Sequence, residues 1–410
     1  METNTKKFGL IGKTLKHSFS KTIHQMLGDY EYELYELNED ALEQFVNSKT
    51  LNGYNVTIPY KTQIIQYLDD ISESAKEIGA VNTVVLKNGK YYGDNTDIYG
   101  MIYMFKRANI VIKDKIVMIL GTGGTSKTAR ATARRLGAKE IIVVSRTGEL
   151  NYDNYYLRAD AEIIINTTPV GMHPDNYSCS IDLQKFNNLY AVADVVYNPS
   201  LTAFLYQAKL KGVKYTGGLS MLVAQAKYAS EEFLCKTYSD EIIERIIYKL
   251  EKDKQNVVLV GMPGSGKTTV GKQIATILGK EFIDVDKEIE RLEGKDIPTI
   301  FRENGEEYFR NLERKVVKEV GKLSGKVIAT GGGVVKDKNN YFPLKMNGKI
   351  FLIERDLNEL CCEGRPLSKD IETVKKLFDE RKDMYEYFAD CKVKNDKTAL
   401  QVAEEVICKL

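Results

Sequence analysis

Short apolar runs ending in Gly, Asn or Pro alternate along the first hundred residues with segments of helical period. FGLIG, YELYEL and GYNVTIP read as strands, and residues 21–27 and 40–46 read as the helices between them. That alternation predicts parallel strands joined by helices. It breaks at VNTVVLKNGKYYGDN, where Asn88 and Gly89 stand between two β-rich runs. A type I′ turn needs positive φ at both central residues, which these residue types accept, so an antiparallel strand pair is expected there. A helical segment over residues 97–107 leads into KIVMILG, and strand and helix alternate again through EIIVVSR, EIIINTT and VADVVY, as in a nucleotide-binding sheet. Helices over 220–235 and 240–250 follow, then the polar stretch EKDKQN and a new strand, VVLVG; the polar stretch marks a domain boundary.

At 410 residues the chain exceeds what one hydrophobic core usually supports. With 43% apolar residues, 28% charged residues and a net charge of +2, it has the composition of a soluble globular chain, and no basic tract points to nucleic acid. The start METNTKKFGLIG has no long apolar core, and IVMIL and VVLVGM are too short to cross a bilayer, so a cytoplasmic protein with no membrane partner is expected. Cys179, Cys235, Cys361, Cys362, Cys391 and Cys408 lack CxxC spacing and read as reduced packing residues. His17 and His24 are close in sequence, but no cluster supplies the remaining ligands of a transition-metal site. Homo-oligomerisation is left open.

Chemistry enters with two glycine loops, each directly after an expected strand. In KIVMILGTGGTSKTARATARRLGA, Gly121, Gly123 and Gly124, followed by Thr125 and Ser126, would let backbone approach a pyrophosphate at a helix N-terminus. A plain tight turn is the alternative for the loop alone. The next strand ends in Ser145, Arg146 and Thr147, where an NADP enzyme would place a cation for the 2′-phosphate and an NAD enzyme an acid for the ribose. NVVLVGMPGSGKTTVGKQIA is a strand, a GxxxxGKT loop and a helix. Gly264, Ser265, Gly266 and Lys267 would cradle ATP phosphates, Thr268 would bind Mg2+, and Thr269 follows on the helix.

Nearly all of residues 7–235 resembles the shikimate dehydrogenase family through LIGKTLKHSFSKTIH, GYNVTIPYK, GAVNT, GDNTDIYG, INTTPVGM, VVYNPSLTAFL and GGLSMLVAQA. The resemblance implies that Ser18 and Ser20 hold the carboxylate of 3-dehydroshikimate; by themselves they would more often be helix N-caps. It also implies a catalytic Lys61 oriented by Asp97, hydroxyl-binding Thr57, Asn82 and Gln225, a pocket residue Tyr197, and a backbone contact from Gly218 to the nicotinamide. The family usually has Pro after the second serine, where this chain has Lys21. Such a proline would preset the first helical turn.

Residues 255–395 resemble shikimate kinase through FIDVDKEIE, GEEYFRNLE, VIATGGGVV, GRPLS and DERKDMYEYFAD. The resemblance implies that Asp286 contacts the hydroxyl being phosphorylated, that Asp284 supports magnesium, and that Arg310 and Arg381 hold the substrate carboxylate. Gly331, Gly332 and Gly333 would let backbone approach the ring, and Arg365 would be the lid arginine closing on ATP. Lys267 would neutralise charge on the moving γ-phosphoryl. Only a short stretch separates FLIERDLNEL from GRPLS, so the lid is trimmed, the usual basic residue beneath adenine is not evident, and looser base selectivity is expected.

Together the resemblances imply an all-α/β chain. It would hold a substrate-binding domain over 1–100 plus 220–250, a Rossmann-like NADP domain over 101–219, and a P-loop kinase domain with a parallel sheet over 251–410. The implied function is reduction of 3-dehydroshikimate with NADPH, then phosphorylation of shikimate with ATP and Mg2+. An NAD-using quinate or shikimate dehydrogenase is disfavoured by Arg146. A catalytically dead ligand sensor should have lost Lys61, Asp97, Lys267 or Asp286, and all four are present.

Overall fold

The computed structural model describes residues 6–15, 18–360 and 371–410. The chain divides into two compact units, Met1–Lys249 and Leu250–Leu410.

The first unit is built on two sheets. Strands β1 (Lys7–Gly12), β2 (Glu31–Glu36), β3 (Gly53–Val56), β4 (Asp70–Ile71), β5 (Thr83–Lys87) and β6 (Lys90–Asp94) form one, in the order β2-β1-β3-β5-β6-β4. β1 pairs in parallel with β2 and β3, and β5 runs antiparallel to both β3 and β6. The β5–β6 hairpin turns on Asn88 and Gly89 at φ 52° and 75°, the left-handed pair that its sequence supplies. Helices α1 (Ser20–Leu27), α2 (Leu42–Ser48) and α3 (Glu73–Ile78) belong to this part.

The other sheet is wholly parallel. Its strands β7 (Ile116–Leu120), β8 (Glu140–Val144), β9 (Ile163–Asn166), β10 (Ala191–Asp194) and β11 (Lys214–Thr216) lie in the order β11-β10-β9-β7-β8. Strand order reverses at β7, flanked by β8 on one side and β9 on the other, and ligands of such sheets sit at the carboxyl ends of the strands at that reversal.

Helix α4 (Asp97–Arg107) leads into this sheet, α5 (Gly124–Arg135) and α6 (Ala203–Lys211) follow within it, and α7 (Leu219–Leu234) leaves it. Met101, Met104 and Phe105 of α4 join Met221 of α7 in one core with Val117, Ile119, Ile163 and Ile165. Further along α7, Phe233 packs with Phe8, Tyr30 and Tyr32 under the first sheet, its ring stacked 4.5 Å from Phe8. One helix therefore serves both cores. Gly100 permits the close passage of α4 by α7, since a Cβ there would lie 2.6 Å from the Met221 carbonyl and 3.0 Å from Gln225 Cβ.

Helix α8 (Glu241–Lys254) runs further than the sequence suggests. Glu251, Lys252, Asp253 and Lys254 continue it, because Glu and Lys are good helix formers and the two lysines suit the negative end of the helix dipole. Gln255 alone separates it from the next strand, so the expected polar linker is mostly helix.

In the second unit, β12 (Asn256–Val260), β13 (Glu281–Asp284), β14 (Lys326–Ala329), β15 (Gly348–Glu354) and β16 (Cys391–Lys394) form a parallel sheet in the order β13-β14-β12-β15-β16. Its helices are α9 (Lys267–Leu278), α10 (Val285–Glu293), α11 (Ile297–Gly321), α12 (Tyr341–Lys345), α13 (Ile371–Phe388) and α14 (Ala399–Cys408). Val257, Leu259, Val270, Ile274, Val327, Phe351, Val402 and Val406 fill the core between sheet and helices.

The described cysteines are reduced as expected but are not core packing residues. The four described ones are free, with Cys235 and Cys408 exposed and Cys179 and Cys391 only partly buried. Cys235 closes α7 at φ 51°, a capping position and not a packing one. No described helix is long and apolar enough to cross a membrane.

Glu232, near the end of α7, is bonded to the carboxyl of Asp94 at the end of β6; Asp94 also accepts from the Ser72 hydroxyl. Burial, then the Asp94 carboxyl, push Glu232 up to about 8, with Lys87 opposing and Glu231 adding to the rise. The folded state therefore holds a proton that the unfolded chain has lost above its ordinary carboxyl range. Stability from this group is complete at acid pH and declines as pH rises toward 8. Glu232→Gln, neutral at every pH and still able to donate to Asp94, should flatten the decline. At pH 8 and above, calorimetry should show the variant melting higher than wild type, by roughly 2–4 °C for each kcal/mol of burial cost removed. An unchanged pH profile would remove Glu232 as its source.

Candidate active sites

In the first unit four of the residues anticipated from sequence, Lys61, Asn82, Asp97 and Gln225, meet in one hydrogen-bonded network. Lys61, in the loop after β3, donates to Asp97 Oδ2 at 2.5 Å, and both side chains are largely buried. Asp97 opens α4, where the helix dipole favours an anion. Its other oxygen accepts from Asn82 Nδ2 at 2.9 Å. Asn82, just before β5, also donates to Thr96 Oγ1 at 3.1 Å and reaches Gln225 Oε1 of α7 at 3.4 Å, while its own Oδ1 accepts the Thr96 backbone N–H at 2.7 Å. Asn82, Asp97, Gln225 and Lys61 thus form one network drawn from four segments.

Thr57 lies against Gly12, where a Cβ would fall 2.6 Å from the threonine methyl. Ser18 and Ser20 open α1 but do not cap it. The N-cap is Phe19, with no side-chain cap bond, and Ser18 Oγ accepts from the Ser20 backbone N–H at 3.2 Å. The Phe19 ring sits 5.2 Å from that of Tyr197, which brings the residues following β10 against the serine segment. Lys21 turns away and pairs with Glu33 of β2 at 2.6 Å, a half-exposed bridge that holds helix to strand in place of the ring a proline would supply.

The first glycine loop lies at the carboxyl end of β7. Gly121 has φ 105°, and a Cβ there would lie 2.9 Å from the Thr168 methyl. Gly123 faces open space and caps α5. Ser126, where a third glycine is usual, is buried and donates to the Gly121 carbonyl at 2.6 Å, which closes the loop on itself. Thr125 follows Gly124 in the first turn of α5. A Cβ on Gly124 would come 3.8 Å from Lys61 Cδ, so the glycine loop and the Lys61–Asp97 pair adjoin. Ser145, Arg146 and Thr147 follow β8; Arg146 and Thr147 are exposed, and no described carboxylate pairs with Arg146. Gly218 has no room for any side chain, since a Cβ would lie 2.0 Å from the Val195 carbonyl.

The second site is a cavity of about 610 Å3 lined by the GxxxxGKT loop and by Asp284, Asp286, Arg310, Glu313, Gly331, Gly332, Gly333 and Arg381. Gly264 and Gly266 take φ 87° and 92°, which turns the backbone around the space a phosphate would fill. Ser265 is fully buried beneath them, and Thr269 lines the cavity beyond. Lys267 folds back to donate to the carbonyls of Gly261 and Met262, both at 2.9 Å. Thr268 Oγ1 donates to Asp284 Oδ2 at 2.8 Å, and Asp284 Oδ1 caps α10 by accepting from the backbone of Asp286 and Lys287. A hydroxyl beside a carboxylate is a hard oxygen pair of the kind magnesium takes. Among the described residues, no group of three or more His, Cys, Asp or Glu could hold a metal by itself. Burial and the neighbouring Asp284 raise the Asp286 carboxyl above its ordinary range.

Sequence reasoning passed over Glu313, although it ends the motif GEEYFRNLE. It is 1% exposed, accepts from Arg310 Nη1 at 2.7 Å through Oε2, and has no hydrogen-bond partner at Oε1. A Cβ on Gly331 would lie 2.6 Å from Asp286 Oδ1 and 3.0 Å from that Oε1, so both carboxylates face the glycine stretch. Glu and Arg three apart on a helix was the available signal, but it reads equally as a surface pair. Tyr385 was missed too: it and Arg381, both on α13, donate to the Gly332 carbonyl, at 2.5 and 3.2 Å. Arg365 lies outside the described residues.

The family model for the shikimate dehydrogenase substrate binding domain matches residues 10–84, and the model for shikimate kinase matches residues 263–410. A shikimate dehydrogenase (NADP(+)) of Clostridium beijerinckii is 39% identical over 243 residues, spanning 55% of this chain and 90% of the relative. Shikimate dehydrogenase 1 of Peptoclostridium difficile superposes with a TM-score of 0.57 at 34% identity, covering 60% of this chain and 98% of that one. A chorismate mutase/shikimate 5-dehydrogenase fusion from Clostridium acetobutylicum gives 0.59 at 34% identity, covering 61% and 98%. The first part of the chain belongs to the shikimate dehydrogenase family, and the second carries a shikimate kinase domain.

Proposed function

We propose that the first unit reduces 3-dehydroshikimate to shikimate with NADPH and that the second transfers the γ-phosphoryl of ATP to shikimate, giving shikimate 3-phosphate for aromatic amino acid biosynthesis. The observation that carries this reading is the Lys61–Asp97 pair lying directly against the first glycine loop. NADPH supplies a hydride to the C3 ketone. Lys61 Nζ then stands where the alkoxide develops and delivers the proton, while Asp97 and Asn82 fix its direction. Ser18 and Ser20 receive the carboxylate, and Thr57, Asn82, Gln225 and Tyr197 receive the ring and its hydroxyls. Leaving any buried hydroxyl unpaired would cost roughly 1–3 kcal/mol. The open face at Gly123 and the positive φ at Gly121 admit a pyrophosphate, and exposed, unpaired Arg146 can meet a 2′-phosphate.

In the second unit ATP and Mg2+ supply the phosphoryl group and charge neutralisation. Thr268 and Asp284 are placed to hold the metal, and Lys267 to swing from its loop carbonyls onto the phosphates. Asp286, made more basic by burial and by Asp284, accepts the proton of the attacking hydroxyl. Arg310 and Arg381 present planar donor pairs to the shikimate carboxylate. The product of the first reaction is the substrate of the second, which gives a reason for one chain to carry both.

Arg146→Ala should raise KM for NADPH far more than KM for NADH in steady-state assays, since only NADPH carries the 2′-phosphate. Equal changes with the two cofactors would refute the pairing. Lys61→Ala should lower 3-dehydroshikimate turnover by about a hundredfold or more and leave shikimate phosphorylation intact. A variant that keeps wild-type turnover takes Lys61 out of the mechanism. Asp286→Asn should do the reverse, abolishing phosphorylation while nucleotide binding and dehydrogenase activity persist. Lost ATP affinity with preserved turnover would make Asp286 a nucleotide contact instead.

A further inference from the structure

Asp194, the last residue of β10, is completely buried and has no role in the chemistry above. It accepts from the Thr202 hydroxyl at 2.7 Å, from Asn166 Nδ2 at 2.9 Å and from the Val196 backbone N–H at 3.0 Å. Two of the donors, Asn166 and Val196, lead to walls of the first site, and the third, Thr202, anchors the helix that follows. Asn166 ends β9, and its Oδ1 accepts from the backbone N–H and hydroxyl of Thr168 at 3.0 and 2.7 Å, so it holds the residue whose methyl group abuts Gly121. Val196 accepts from the Gly218 N–H at 3.0 Å, which fixes the glycine proposed to face the nicotinamide. The next residue, Tyr197, packs on Phe19 between Ser18 and Ser20. Thr202 caps α6 by accepting the Leu205 N–H at 3.2 Å.

We propose that Asp194 is a positioning residue that sets the spacing between the nucleotide loop, the nicotinamide contact and the carboxylate end of the substrate pocket. The chemistry demands such a device, because hydride transfer needs donor and acceptor within about 3–3.5 Å and misplacement by about 1 Å can cost a hundredfold in rate. Among the described residues no cation is a partner of Asp194, and a buried acid without one is expensive to keep. Burial pushes its carboxyl up to about 7, against the three hydrogen bonds, which favour the ionised form. One acceptor shared by three segments fixes their mutual distances, as three separate surface bonds would not.

This inference rests on the dehydrogenase reading, so wild-type NADPH-dependent reduction of 3-dehydroshikimate is measured first. Its absence would overturn that reading and the inference with it. Asp194→Ala should then raise KM for both NADPH and 3-dehydroshikimate by tenfold or more and lower kcat, counted per folded site by NADPH fluorescence titration. Shikimate phosphorylation should be unchanged. Asp194→Asn keeps an acceptor for Asn166 and Val196 and can donate to the Thr202 hydroxyl, so it should recover to within about threefold of wild type. If Asp194→Ala lowers Tm but leaves the constants per folded site unchanged, the residue is merely structural and the proposal fails. It fails equally if the Asn variant is no better than Ala. Should Asp194→Ala give no soluble protein, Thr202→Val decides: raised KM values for both ligands support the proposal, and wild-type values overturn it.

Discussion

An ammonium group can sit on a largely buried carboxylate only where that carboxylate has further donors, and the first unit is arranged around this requirement at Lys61 and Asp97. The N-terminal turn of α4 gives Asp97 a favourable dipole, and Asn82 occupies the oxygen that Lys61 leaves. Asn82 arrives there because it enters the antiparallel hairpin of an otherwise mostly parallel sheet. Gln225 arrives because Gly100 lets α7 pass α4 at backbone distance. Remove the hairpin or the glycine, and the same residues would be present in the sequence without meeting.

The second unit solves a related problem with opposite balance. Two carboxylates, Asp286 and Glu313, face a glycine stretch beside two buried or half-buried guanidinium groups, and burial raises both acids above their ordinary range. Arg310 is held by Glu313 and Glu306, while Arg381 is tied to the Gly332 carbonyl. The charges are thus fixed by protein partners before any substrate arrives. Preorganisation of this kind is what lets electrostatics act on a transition state without first reorienting the site.

Local physics made some of this legible from sequence. Asn88–Gly89 announced its hairpin, both glycine loops announced their strand–turn–helix settings, and the parallel α/β character followed from the alternation of periods. Lys61 and Asp97 stand 36 residues apart, and nothing local marks either; only the resemblance suggested that they meet. Where composition alone was used, it misled. Polar EKDK read as linker because charge was weighed above helix propensity, and cysteines read as core because their usual burial was assumed. Ser18 and Ser20 looked like caps by residue type, yet the backbone places Phe19 at the cap. Asp194 gave no signal, since its three donors become neighbours only when β9, β10 and α6 are assembled.

The open oxygen of Glu313 and the Arg381 Nε are both buried without a hydrogen-bond partner in the protein, so the folded second unit holds polar groups that its own side chains leave unsatisfied. A ligand that satisfied them would bind the native state and not the unfolded chain, so occupancy would slow every process that starts from unfolding, proteolysis included. Such a ligand would then act as a chaperone for the unit that binds it. Starved of such a ligand, the second unit would open more often, and its lifetime would follow the ligand's supply.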